Sequence, residues 1–235
     1  LSNGDLAKAK NAIDAASIHE KTNTDPRVFK LKGDIYKAII LSEEESVKPL
    51  KEGAIDEAIK AYDKALETLP NSSRITKEEI LSAYTGMIAI VSNEAINAYN
   101  NNDFANSSVY FEKQAQLGDS FGYMDTAAYF NAGLTAAQAG DNSRAIAMYS
   151  AIKETGYNEA DLFYEIARMQ IEDEKINEAL ATIEEGKAKY PGSKNLLLLE
   201  TNIYLQDESK MEQAIQNLNT TIADDPSNPS LYYAR

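Results

Sequence analysis

The chain has 235 residues, of which 43% are hydrophobic, and its 37 acidic and 23 basic side chains give a formal net charge of −14. So acidic a surface repels nucleic-acid phosphates and anionic lipid headgroups, which disfavours nucleic-acid binding and direct membrane insertion but is compatible with a basic partner. Cysteine is absent, which excludes disulfides, thiolate zinc sites and cysteine nucleophiles.

The first predicted element is a single amphipathic helix within residues 4–20. Ala9 stands four positions before Ile13, so a small and a bulky side chain share one helix face. This spacing is typical of the second helix of a helical hairpin, and the hairpin's first helix is missing. We therefore expect the natural protein to extend upstream.

The second element is a helical hairpin over residues 25–70. Asp25 and Pro26 predict its start, because an aspartate cap followed by proline favours a first helical turn. Its first helix contains Gly33 and its second contains Ala58, and an insertion that includes Pro49 separates them. We predict a lengthened first helix and a loop near Pro49, which is either a binding loop or a tolerated solvated insertion.

The third element is a hairpin over residues 76–118. Thr76 and Glu79 have the spacing of a capping box, and the helical pattern that they start continues to Asn100. The polar residues 100–103 predict a turn before the second helix. Ser107 occupies the place where a small alanine is usual, so the register of this hairpin is the least regular.

Residues 126–157 and 160–191 form two hairpins that repeat one pattern 34 residues apart. Each copy has an aromatic residue, a small residue four positions later, another small residue twelve positions further on, and a bulky residue four positions after that. The two sets are Tyr129, Gly133, Ala145 and Tyr149, then Phe163, Ala167, Ala179 and Ile183. Small residues at these positions predict that the two helices of a hairpin approach closely.

A further hairpin covers residues 194–226, with Ala214 and Leu218 on its second helix. Asn228 and Pro229 then predict the start of another first helix over residues 228–235. The sequence ends shortly after this start, and we expect the natural protein to continue.

This 34-residue pattern resembles the tetratricopeptide repeat (TPR). The resemblance implies an all-α solenoid, a right-handed superhelix of antiparallel helix hairpins. It has about five full repeats plus half-repeats at both ends, and residues 1–235 form a single domain.

The sequence contains no pattern that indicates catalysis. His19 is the only histidine and is expected to be an exposed residue after the first helix. One histidine without cysteines does not make a conventional zinc site, and phosphate-binding, nucleophile-elbow and calcium-loop motifs are absent from the sequence. We therefore predict a protein that is not an enzyme and that holds no metal or cofactor.

The resemblance also implies a concave groove lined by the first helices, where TPR proteins bind peptides or helices. The groove positions directly follow the aromatic and the small residue of each first helix. They are Lys30, Asp34, Phe130, Leu134, Tyr164, Arg168, Leu198, Asn202 and Tyr233. The best-known TPR subclass clamps a C-terminal carboxylate with lysine and asparagine at these places, and the residues on 126–157 and 160–191 do not match it. Glu184 and Lys187 are predicted to lie on the outer face of a second helix, where alanine substitutions should change binding little.

The leading hypothesis is a non-enzymatic scaffold that binds an unknown protein or peptide in this groove. One alternative is a self-assembling structural module of the cell envelope, associating through its terminal half-repeats. Another is a carbohydrate-binding accessory protein, because aromatic grooves also suit sugars. The acidic, Asn-rich, cysteine-free composition looks like that of repeat proteins exported by Gram-negative bacteria, which favours an exported or periplasmic location over a cytoplasmic one.

Overall fold

The computed structural model describes residues 4–70 and 74–235, and all regular secondary structure in these residues is helical. The α-helices are α1 (Gly4–Ile18), α2 (Pro26–Leu41), α3 (Ala54–Glu67), α4 (Lys77–Asn100), α5 (Phe104–Ser120), α6 (Thr126–Gln138), α7 (Asn142–Ile152), α8 (Glu159–Glu172), α9 (Ile176–Lys189), α10 (Lys194–Tyr204), α11 (Met211–Asp224) and α12 (Pro229–Ala234). Short 3₁₀ turns cover Lys48–Leu50 and Glu208–Lys210. The prediction of an all-α fold built from helical hairpins is confirmed.

Side-chain caps determine where several helices begin. The predicted capping box is present, since the Thr76 backbone N–H donates to Glu79 Oε2 (2.7 Å) and the Glu79 N–H donates to Thr76 Oγ1 (3.2 Å). Four other helices start after an aspartate whose carboxylate accepts a backbone N–H two or three residues later. These aspartates are Asp25, Asp103, Asp125 and Asp141. Each cap satisfies a donor that the helix itself leaves unpaired.

The chain divides into two compact units, residues 1–93 (unit 1) and 94–235 (unit 2), and the boundary lies inside α4. Unit 1 contains α1 to α3 and the N-terminal part of α4. In its core the buried rings of Tyr62 and Tyr84 stack with their centroids 5.2 Å apart. The grouping of residues 1–235 into one continuous domain stays a prediction.

The insertion in unit 1 lies mainly in the connection between α2 and α3. Helix α2 ends at Leu41, and residues 42–53 contain the 3₁₀ turn at Lys48–Leu50. Val47 is only 1% exposed, so this connection has an apolar anchor of its own although acidic residues surround it. Most of the extra length is therefore loop and not helix.

Unit 2 consists of successive hairpins with apolar layers between them. Tyr149 on α7 and Ile166 on α8 belong to one buried cluster, together with Ala136 on α6. Phe163 on α8 and Leu196 on α10 belong to the next cluster, which continues with residues of α9. Each hairpin thus buries its apolar side against its neighbours, as repeat architectures require.

Glycines allow the close helix packing that the sequence pattern predicts. A Cβ atom on Gly133 would lie 2.5 Å from Cε1 of Tyr149, and one on Gly33 would lie 2.6 Å from Cε1 of Tyr62. Each glycine therefore faces the ring of a tyrosine on the second helix of its own hairpin. The same contact recurs in both units.

Helix α5 is held to the helices on both sides by two consecutive serines. Ser107 Oγ donates to the backbone carbonyl of Ala95 on α4, and Ser108 Oγ donates to the carbonyl of Ala132 on α6; both distances are 2.9 Å. Both serines are buried. The serine at the position where alanine is usual thus supplies a hydrogen bond in a place too narrow for a larger side chain.

An ion pair with a buried carboxylate connects three helices near the C-terminal end of unit 2. Glu200 on α10 is 7% exposed, and its Oε2 accepts from Lys187 Nζ on α9 (2.5 Å) and from Asn217 Nδ2 on α11 (2.8 Å). The sequence predicts no partner for Lys187, and the helix that follows supplies one. Glu184, by contrast, is exposed.

Candidate recognition surface

The two groove positions predicted in unit 1 pair with each other. Lys30 Nζ lies 2.6 Å from Asp34 Oδ2, and the Tyr62 hydroxyl donates to Asp34 Oδ1 at 2.8 Å. Burial, followed by the hydrogen bond to Asp34, raises the pKa of Tyr62. An open depression of about 660 Å³ lies beside the pair, lined by Lys30, Asp34, Lys37, Glu78, Glu79 and Ser82 among others. Opposite charges are mixed along its walls, so it favours neither sign of ligand.

The first helices of three successive hairpins in unit 2, α4, α6 and α8, each have a residue at the predicted groove position. Ile96, Leu134 and Arg168 each directly follow a small residue that packs within the hairpin. Ile96 is 46% exposed and Leu134 is 36% exposed. We call the surface formed by Ile96, Tyr99, Phe130, Leu134, Tyr164 and Arg168 the first-helix face.

The first-helix face is apolar on α4 and α6. Helix α6 has no charged residue from Thr126 to Gln138, and residues 95–100 of α4 have none either. Phe130 is half-buried, and its ring centroid lies 5.6 Å from that of Tyr149 and 5.6 Å from that of Tyr157. Phe130 therefore helps to pack the hairpin, whereas Leu134 remains open to solvent.

Helix α8, whose Ile166 shares a buried cluster with Ala136 of α6, carries a charged stripe. Asp161, Glu165, Arg168 and Glu172 follow each other at intervals of four, three and four, so they share one helix face. Arg168 donates through Nε (3.0 Å) and Nη2 (2.8 Å) to Glu165, and through Nη1 to Glu172. Burial lowers the pKa of Arg168, but the hydrogen bond to Glu165 and the nearby carboxylates raise it on balance. Arg168 is thus already paired on both sides.

The other predicted groove residues have varied surroundings. Tyr164 is half-buried against the cluster that contains Phe163, and Leu198 packs against the cluster formed by Leu218, Ile222 and Leu231. Asn202 is exposed. Tyr233 is 96% exposed at the end of α12. Helices α6 and α8 share a buried cluster through Ala136 and Ile166, and Leu198 is largely a packing residue. That the predicted groove residues line one surface stays a prediction.

Ile96 and Tyr99 are absent from the predicted groove residues, although a signal for them exists. Counting twelve positions back from Ser107 leads to Ala95, the residue whose carbonyl Ser107 binds. Ile96 follows Ala95 as Leu134 follows Gly133. The substitution of serine for alanine concealed this register.

The first-helix face carries two kinds of side chain. It presents apolar side chains and paired charges, with no nucleophile beside a base. In residues 4–70 and 74–235 no group of three or more potential metal ligands is found, and His19 is exposed and accepts the Lys21 backbone N–H. Within the same residues, no helix combines the length and apolar character that crossing a bilayer requires.

The comparisons with known proteins found similar solved structures but no similar sequence. No family model and no curated protein sequence matches the chain. The similar solved structures include YrrB, described as a TPR protein with an unusual peptide-binding site (16% identity, TM-score 0.46, 95% of this chain and 97% of that one). Others are PilW, a type IV pilus biogenesis factor (18%, 0.49, 98% and 90%), and Pseudomonas aeruginosa PilF (13%, 0.45, 98% and 89%). Matches at these identities and TM-scores do not identify what the chain binds.

Proposed function

We propose that this chain is a non-enzymatic protein-interaction scaffold that binds an extended peptide or a single helix of a partner on the first-helix face. The observation that carries the proposal is the pair Ile96 and Leu134, two exposed aliphatic side chains at equivalent positions of successive first helices. Apolar side chains that stay exposed at equivalent positions of a repeat are typical of a recognition surface.

The energetics of the surface support binding. Covering Leu134 and Ile96 removes apolar area from water. Burial of a whole aliphatic side chain contributes about 1.5–3 kcal/mol, and these two side chains, which are already more than half covered, contribute less than half of that each. Tyr164 adds an aromatic ring to the same surface, and tyrosine is frequent among residues that dominate binding energy. The cost of ordering is small because all these residues lie on helices.

Site-specific photocrosslinking tests this proposal. A photoreactive amino acid is introduced at Leu134 or at Tyr164, and at Glu184 as the control, and cells that make the natural protein are irradiated. The same partner should be crosslinked from Leu134 and Tyr164 and not from Glu184, which is exposed on α9. Equal crosslinking from all three positions, or from Glu184 alone, would contradict the proposal.

Self-assembly and carbohydrate binding stay alternative predictions. Tyr232 and Tyr233 on α12 are 45% and 96% exposed, which is the observation that favours self-association. Sedimentation over a concentration range separates these functions, since a chain that stays monomeric at high concentration is not a self-assembling module. An exported or periplasmic location likewise stays a prediction.

A further inference from the structure

We infer that the partner is an extended segment in which apolar side chains are followed or preceded by basic ones. This inference rests on the proposed function and specifies the ligand chemistry of the same surface. The apolar side chains lie against Ile96 and Leu134. The basic side chains lie against the carboxylates of α8, Asp161 and Glu172.

The charge distribution on the first-helix face is the first argument. Its α4 and α6 part carries no charge, so a charged ligand group placed there would lose water without gaining a partner. The stripe on α8 holds three carboxylates and one guanidinium, Arg168. The side chains along this stripe therefore sum to a charge of about −2 at neutral pH.

The ion pairs on α8 indicate which sign of ligand it accepts. Arg168 already binds Glu165 and Glu172, so an incoming carboxylate would have to displace one of them. Asp161 is exposed and, among the described residues, takes part in no ion pair. A lysine or arginine can approach Asp161 without breaking an existing ion pair. Glu172 is 48% exposed, and its second oxygen, Oε2, has only a long contact from Asn142 Nδ2 (3.4 Å). The surface thus favours basic groups at this place and disfavours acidic ones.

The spacing of the helices limits the length of the segment. Packed helices lie about 8–10 Å apart, so the path from α4 past α6 to α8 is roughly 16–20 Å. An extended chain advances about 3.3 Å per residue, so about six residues cover this path. A peptide of nine residues is long enough to reach both ends of it.

The test uses three acetylated and amidated nine-residue peptides. In every peptide, six residues form an apolar segment in which one tryptophan and two leucines alternate with serines. The remaining three residues are all lysine in the first peptide, all glutamine in the second and all glutamate in the third. Each is made in both orders, because the structure does not fix the direction of the segment. The protein contains no tryptophan, so the peptide's fluorescence reports binding directly.

At low ionic strength the lysine peptide should bind about tenfold more tightly than the glutamate peptide, with the glutamine peptide between them. Added salt should reduce this preference, because the charges are exposed. Equal affinities for the lysine and glutamate peptides, or no binding of the lysine peptide in either order, would overturn the inference.

Two double variants test whether the preference for the lysine peptide depends on the carboxylates of α8. Asp161→Asn with Glu172→Gln should weaken the lysine peptide about three- to tenfold and leave the glutamine peptide unchanged. Glu184→Gln with Glu212→Gln removes two exposed carboxylates from second helices and should change neither. Equal weakening by both double variants would indicate nonspecific attraction to an acidic protein and would refute the inference.

A further variant separates failure of the inference from failure of the proposed function. Leu134→Ser should weaken all three peptides, because each uses the same apolar contact. One outcome is that Leu134→Ser weakens every peptide while the lysine and glutamate peptides bind with equal affinity. In that case the first-helix face binds peptides, and only the inferred preference for basic residues is refuted. If Leu134→Ser changes none of them, the peptides do not bind where the proposed function requires.

Discussion

At the scale of single residues, Gly133 is the position where the least added volume should have the largest effect. A Cβ there would meet the Tyr149 ring at 2.5 Å, and that ring is 1% exposed and has little room to move. We expect Gly133→Ala to lower the free energy of unfolding by about 1–3 kcal/mol through overpacking, measured by urea denaturation followed by circular dichroism.

The matched control is Gly86→Ala on α4, where the nearest atom to a new Cβ is the flexible Lys37 Nζ at 3.4 Å. Alanine should be neutral there or stabilising by up to about 1 kcal/mol, because it favours helix more than glycine does. If both substitutions changed stability in the same direction, the close contact at Gly133 would not explain the result.

The pair formed by Lys187 and Glu200 gives a second prediction at this scale. Lys187→Met should cost about 1–3 kcal/mol, because the buried Glu200 carboxylate would keep only Asn217 and a long contact from Tyr204. The double variant Lys187→Met with Glu200→Gln should recover much of the loss, since no buried charge is left unpaired. Thermal unfolding of the two variants measures this difference, and equal melting temperatures would refute it.

These residues also show what the sequence can and cannot predict. The contact of Gly133 with Tyr149 follows from small and bulky residues at fixed intervals. Lys187 and Glu200 bind each other across 13 positions of the sequence. No periodic pattern predicts that a lysine on one helix pairs with a buried glutamate on the next. Arg168 was a reasonable groove residue by position, but its pairing with Glu165 and Glu172 depends on side-chain conformations that spacing alone does not fix.

At the scale of helices, α5 depends on the hydrogen bonds of Ser107 and Ser108 to two different helices. Each serine-to-alanine substitution should cost about 1 kcal/mol, the usual net value of one hydrogen bond. The two effects should add to roughly 2 kcal/mol, because the partners differ. Larger residues at either position should cost more, since both serines are buried. A double variant as stable as the unsubstituted chain would show that these bonds contribute nothing net.

Helix boundaries were the more predictable feature of the fold. Asp25, Asp103 and Asp141 are local signals, and each caps a helix in the structure. The connection between α2 and α3 was less predictable, because the burial of Val47 depends on residues distant in sequence. Ile96 was missed for a different reason. The interval of twelve before Ser107 leads to Ala95, but a serine stands where alanine is usual and concealed this register.

At the scale of the whole molecule, buried tyrosines should limit stability at high pH. Burial raises the pKa of Tyr62, Tyr84 and Tyr149, and it raises that of Tyr129 to about 12 with help from a hydrogen bond to Asp119. The folded chain therefore holds these protons more tightly than the unfolded chain, in which tyrosine titrates near pH 10. This stabilisation is fully present below about pH 10 and is lost as the pH rises through the folded values.

We accordingly expect the free energy of unfolding to fall above about pH 10, and tyrosinate absorbance to rise together with the loss of helical circular dichroism. With 14 tyrosines and no tryptophan, the absorbance signal is free of overlap from indole. Ionisation of every tyrosine with unchanged helical content would contradict this expectation.

Helix α4 belongs to both units, because residues 77–93 lie in unit 1 and residues 94–100 lie in unit 2. A helix of 24 residues would ordinarily lose its amide protection gradually, by fraying from its ends. Because the two units are separately compact, we expect the amide protons before and after residue 93 to exchange through two different opening reactions. Hydrogen–deuterium exchange should therefore show an abrupt change of rate in the middle of a continuous helix, and any substitution that destabilises unit 2 alone should speed exchange only on the C-terminal side of that step.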